Sequence, residues 1–172
     1  MVIAIKEIRN AIVKGLYEYL GLIPIPIEDV QGKEPYPYIT YNFISPYTQF
    51  RGQGNYQRDL VPSNDERFEL DVEETLELQP QATVSINTYS KDKLEAQELA
   101  KKAMDWFKHV GWQYLYDNNI VVVSIEAFGD RTIHIVDYYE NRIGFDVIIR
   151  FTDEIKRRIE TIEIYDINTV IE

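Results

Sequence analysis

Apolar residues between positions 5 and 20 fall at Ile5, Ile8, Ile12, Leu16 and Leu20. Steps of three and four place them on one helical face, so the pattern predicts an amphipathic helix with a single buried stripe. Gly21 supplies a stop, and Pro24 and Pro26 prevent continuation. A second helix is predicted after residue 90, with Ser90 as its N-cap and Asp92 adding negative charge to the first turn. Its buried face is Leu99, Ala100, Ala103, Met104 and Phe107, flanked by Ala96 and Trp106, and Gly111 follows at its end.

Elsewhere the period is two. Tyr38, Ile39, Tyr41, Phe43 and Ile44, set between prolines, read as a short strand over 37–44. Phe68, Leu70 and Val72 alternate with Glu69, Asp71 and Glu73, and after Pro80 the alternation resumes at Val84, Ile86 and Thr88. A turn at "YDNN" leads into a strand over 120–128, and Gly129 and Asp130 read as a hairpin turn into 132–136. Two further strands, 142–151 and 159–167, are joined by "TDEIKRR", which reads as a wide or helical turn. Residues 45–66 mix glycine, proline, asparagine and glutamine with isolated aromatics, which predicts an extended loop or a long irregular hairpin arm. A connection of that length calls for a reason, and packing against a partner is the commonest physical one.

This order of elements predicts an α+β fold: a largely antiparallel mixed sheet, two helices packed on one face, and a long extended loop. The 172 residues suit one domain, 1–172, with 45–66 as its arm.

The segment "YENRIGFDVIIRF" at 139–151 is the most informative. Alternation puts Ile143, Phe145, Val147, Ile149 and Phe151 on one side, against helices, and Arg142, Asp146 and Arg150 on the other with Ile148 among them. An isoleucine between opposite charges suits pairing with another subunit, and a cross-strand salt-bridge ladder within a monomer accounts for it equally well. Arg51, Tyr56 and Arg58 in the arm join these four as candidate intersubunit contacts.

Charge changes the picture next. A formal net charge of -11 argues against a broad footprint on nucleic acid, whose phosphates need a basic surface. With no cysteine there is no disulfide framework, thiol nucleophile or thiolate metal site. No run of eighteen apolar residues and no cleavable leader occur, so a soluble protein outside the membrane is expected.

Glu69, Asp71, Glu73, Glu74 and Glu77 form the strongest acidic run, which reads as a solvated face or charged oligomer rim. The alternative is a small divalent-metal-dependent hydrolase or nuclease using Glu69, Asp71 and Glu73, and it needs another acid converging from elsewhere. His109 and His134 lack metal-ligand spacing, "RGQGNYQR" misses both phosphate-loop patterns, and no serine lies in G-x-S-x-G. No catalytic, cofactor-binding or metal residue is assigned, and no cofactor is expected.

With these residues in view, the chain resembles the small tailed-bacteriophage neck proteins of the neck or tail terminator group. The resemblance lies in "KEPYPYITYNFISP" (33–46), "QPQATVSINTYSKDKLEAQELAKKAMDWF" (79–107), "NNIVVVSIEAFGDRTIHIVDYYENRIGFDVIIRF" (118–151), and their order. Tyr139, Glu140, Arg142, Gly144, Phe145 and Asp146 match the family-like signature. The resemblance implies a non-enzymatic virion subunit, a homo-oligomeric ring, often sixfold, that ends the tail tube and faces the head connector. Its partners would be tail-tube and connector proteins, with DNA passing through a lumen or rim that the acidic run would line without binding it. The location implied is the virion neck, after assembly in the host cytoplasm. A monomeric adaptor is the blander alternative.

Overall fold

The computed structural model describes residues 5–30, 34–49, 52, 54–135 and 138–160, and the side chains of all of these except 133–135, 138–139 and 160. By density of internal contacts the chain divides into two compact units, one comprising Ile3–Phe50 and Gln79–Thr152, the other Met1–Val2, Arg51–Leu78 and Asp153–Glu172. Both are built on mostly antiparallel sheet, so the α+β expectation holds.

In the first unit, helix α1 spans Ile5–Leu20 and buries Ile8, Ala11, Ile12, Gly15 and Leu16, the predicted stripe. Gly21 ends it at a φ of 72°, its N–H donating to the Tyr17 carbonyl over 2.9 Å. The sheet runs in the order β1 (Ile25–Pro26), β2 (Tyr38–Thr48), β5 (Gln81–Ser90), β8 (Tyr138–Phe151), β6 (Ile120–Asp130), and β7 (Ile133–Ile135) also pairs with β8. Helix α2 (Lys93–Asp105) continues through a wide turn at Trp106–Val110 into the short helix α3 (Trp112–Asp117).

Register explains the core. Tyr41, Ile86 and Phe145 lie abreast on β2, β5 and β8, as do Phe43, Val84 and Val147. With Ile12, Leu16, Met104, Phe107 and Leu115 from the helices they form one buried cluster, Phe43 packing against it partly buried. Ile143, Phe145, Val147, Ile149 and Phe151 are all buried, as alternation requires. Trp106 packs where α1 has Gly15: a Cβ there would meet the indole ring and, at 2.7 Å, the Tyr114 ring. The wide turn brings consecutive Trp106 and Phe107 both into the core.

Three local expectations are corrected. The N-cap of α2 is Asp92, whose carboxylate accepts the Leu94 N–H at 2.9 Å; Ser90 ends β5 and instead receives the Asp92 N–H at 3.1 Å. Gly129 and Asp130 do not turn the chain: they pair with Gly144 and Ile143, and β6 and β7 run in succession along the one partner β8. The apolar alternation simply carries on past them. Most important, "TDEIKRR" is no turn but strand, forming β9 (Asp153–Glu160). Its own alternation was masked by charge, and those charges have partners on a distant strand.

That strand belongs to the second unit, whose sheet has the order β3 (Asn55–Pro62), β4 (Leu70–Leu78), β9. Residues 45–66 therefore divide: β2 continues to Thr48, and β3 with β4 makes the hairpin arm that was one of the two expected forms. The hairpin end is closed by Ser63 N–H donating to the Glu69 carbonyl at 3.0 Å and by an Arg67–Asp65 ion pair at 2.6 Å. That pair, with the Arg67 side-chain bond first among its causes, holds the Asp65 carboxyl down at about 2. The strand read over 159–167 lies outside the described residues beyond Glu160.

Candidate functional site

Two strand faces carry the candidate contact residues, and they are organised differently. On the first, the side of β8 turned from the helices, Arg142, Asp146, Ile148 and Arg150 share a face as predicted, but they do not act as one patch. Arg131, which sequence reasoning missed, gathers most of that face. Its Nη1 donates to Ser85 Oγ at 2.8 Å and Asn87 Oδ1 at 3.2 Å, and its Nη2 lies 3.0 Å from Asp146 Oδ1. The backbone fixes it there, since Arg131 N–H donates to the Arg142 carbonyl over 2.7 Å.

Arg142 is likewise engaged inside the molecule. Its Nε donates to Asn87 Oδ1 at 3.2 Å and its guanidinium sits 5.6 Å from the Tyr89 ring centre. Asn87 can lie between the two arginines because β8 has Gly144 beside it, where any Cβ would strike its amide oxygen. Further along, Tyr36 and Tyr38 donate to Glu140 Oε1 at 2.7 and 2.6 Å, and Tyr38 stacks on Tyr89 with 4.5 Å between ring centres. Burial, then the Glu140 hydrogen bond, pushes the Tyr38 hydroxyl far above its ordinary value, so it stays a donor.

Of the three charged residues among the four predicted, Arg150 alone has a side chain with no ion pair or hydrogen bond among the described residues. It is exposed and lines a recess of about 380 Å³ with Gln79, Tyr116, Asp117, Asn119, Val121, Phe151 and Thr152. Beside it, Trp112 and Tyr116 stack with ring centres 5.8 Å apart while remaining exposed. Ile148 is half-buried, level with Thr83 and Ser124.

The second face is on the three-stranded sheet. Register sets three rows across it: Tyr56, Leu76, Ile155; then Arg58, Glu74, Arg157; then Leu60, Val72, Ile159. A charged row thus lies between two apolar ones. Glu74 at its centre is 3% exposed, bridged by Arg58 at 3.0 Å on one side and Arg157 on the other. A hydrogen bond from Tyr56, and then the two arginines, hold its carboxyl below the usual glutamate range.

The opposite face of this sheet bears Asp71, Glu73 and Glu77 with Lys156 and Arg158. Glu73 accepts Lys156 at 3.2 Å and faces Arg158 at 3.5 Å, the Lys156 bond being first among the causes that lower its carboxyl. The acidic run is thereby split. Glu74 lies across the sheet from Asp71, Glu73 and Glu77, Glu69 precedes the strand, and Asp71 is buried. A divalent ion needs carboxylates free to converge on it, whereas Glu73 and Glu74 are already held by cations; among the described residues no metal-holding cluster forms.

His109 is exposed, the His134 side chain and Arg51 lie outside the described residues, and no helix among them is long and apolar enough to cross a membrane. Arg131 left one trace in the sequence. Thr83, Ser85 and Asn87 alternate with Val84 and Ile86, and a strand polar at every second position while buried needs polar cover. The basic residues of β9 left a clearer one, the alternation of Ile155, Arg157 and Ile159 with Lys156 and Arg158.

A family model described as phage neck terminator protein matches residues 10–172. No curated protein matches the chain.

Proposed function

The chain belongs to the phage neck terminator protein family, and from that premise we propose that it works by assembly, closing with further copies into a ring that ends the tail tube and joins it to the head connector. The observation that carries this reading is the match over residues 10–172, nearly the whole chain, which assigns it to the structural proteins of the phage neck. In this reading the chain is not an enzyme, and it reaches its place in the virion after assembly in the host cytoplasm.

A ring repeats one heterologous contact, so each copy must offer two different complementary surfaces. Arg150, with its recess and the exposed Trp112–Tyr116 pair, supports one such surface, because tryptophan, tyrosine and arginine are the residue types that anchor interfaces. The arm with Tyr56 and Arg58 supports another. Arg142 and Asp146 have a different part: bound to Asn87, Tyr89 and Arg131, they hold the strand that presents Arg150. DNA threads the ring without specific binding, since a net charge of -11 repels its phosphates.

The test is solution mass by light scattering across a concentration series, alone and with tail-tube protein, alongside micrographs of tube ends. Rings in solution or on tube ends are expected, and Arg150→Ala lowers their yield while its melting curve stays that of the wild type. A protein that neither self-associates nor caps a tube overturns the reading.

A further inference from the structure

Among the described residues, Leu78 at the end of β4 is the one buried apolar side chain of β3, β4 and β9, and no helix falls within that unit. Yet its sheet has one strongly apolar face. Leu60 is 66% exposed and Ile155 52%, and Tyr56, Leu70 and Ile159 are exposed beside them. Three strands with a hydrophobic side gain stability when that side is covered, and contiguous apolar surface of this kind marks a contact site.

The charges of the face name the occupant. Arg58 and Arg157 flank the single Glu74, so the middle row carries a net positive charge in a chain whose total is -11. Two copies at -11 repel one another unless contact brings a positive surface of one against carboxylates of the other. This face provides the positive surface, and the rest of any second copy provides carboxylates in excess. Glu74 is already removed from solvent and bonded, so docking does not have to desolvate it, and Arg58 and Arg157 keep side chains 66% and 71% exposed for a partner.

We propose that this face of β3–β4–β9 is where one copy of the chain grips the next, its apolar rows covered by the neighbour and its arginine row answered by the neighbour's carboxylate. The inference rests on the ring reading and adds to it which surface is used and what chemistry it meets. The contact is heterologous, because two such faces set against each other would oppose arginine to arginine.

The chain has no cysteine, so Leu60→Cys places a single thiol on the face. That thiol is expected to react rapidly with a maleimide in dilute monomer and slowly in the assembled ring, while Asp59→Cys on the opposite side of β3 reacts rapidly in both. In parallel, the Leu60→Ser/Ile155→Ser double variant is expected to need on the order of tenfold more protein to assemble, with an unchanged melting curve. Equal labelling of Leu60→Cys in monomer and ring, or assembly of the double variant at wild-type concentration, overturns the proposal while leaving the ring. Slow labelling already in the monomer overturns it too, by showing that the chain covers its own face. Unaltered self-assembly with lost capture of tail tubes assigns the face to the tube protein instead. Wild-type protein that forms no ring alone or on tubes removes the ring reading and this inference together.

Discussion

The six-stranded and three-stranded sheets are made from the same period-two pattern, and they differ in what covers it. On β8 the apolar side meets α1 and α2, so Phe145 and its neighbours become core. On β3 and β9 the same alternation has no helix within its unit among the described residues, and Leu60 and Ile155 remain surface. Alternation alone therefore tells which side chains share a face, while cover decides whether that face stabilises the fold or serves a contact. The polar sides differ as well. Arg131 and Arg142 knit one chiefly with hydrogen bonds to neutral groups, beside the single Arg131–Asp146 ion pair, whereas Glu73, Lys156 and Arg158 neutralise the other by charge.

The sharpest way to break the comparison is at the paired positions. Phe145→Ala is expected to destabilise the protein by about 3–5 kcal/mol, against less than about 0.5 kcal/mol for Leu60→Ala, both read by denaturant unfolding. If the chain melts as the one domain its length predicts, both substitutions act on a single transition. Arg131→Ala comes next, at about 1–3 kcal/mol, because it leaves Ser85 and Asn87 without their shared donor and Asp146 without its cation. Its effect survives high salt better than loss of any exposed pair does.

Acid tests the small sheet selectively. Glu73 and Glu74 have folded-state values below the ordinary glutamate value of 4.5. Their contribution is therefore present above that value and is lost as the pH falls through the lowered folded ones. Amide exchange in β3, β4 and β9 is expected to accelerate below pH 4.5 before that in β5 and β8 does. The smallest folding effect belongs to Arg150→Ala, within about 0.5 kcal/mol of wild type, since no internal bond is removed. Under the proposed assembly its consequence is expected in ring yield instead.

Much of this was legible in the chain. The α1 stripe and the buried side of β8 followed from spacing alone, because both are local and wholly apolar on one side. What escaped was non-local. Glu73 and Lys156 are 83 positions apart, so nothing near "TDEIKRR" announces that its charges have partners, and those charges obscured the alternation that marks the segment as strand. Arg131 escaped because its bonds depend on a register of β5 against β8 that a sequence shows only as two separate alternations. Arg150 was identified with Arg142 and Asp146 by pattern, and only geometry separates it from them.

The separation of β9 from β4 along the chain has a further outcome for how the small sheet forms. At a synthesis rate of about 5–20 residues per second, the 83 positions between Glu73 and Lys156 correspond to roughly 4–17 s of translation. Until then β4 lacks its second neighbour and Glu74 lacks Arg157. A nascent polypeptide that has not yet reached β9 thus carries this sheet with two strands in place of three and with one arginine beside Glu74 in place of two.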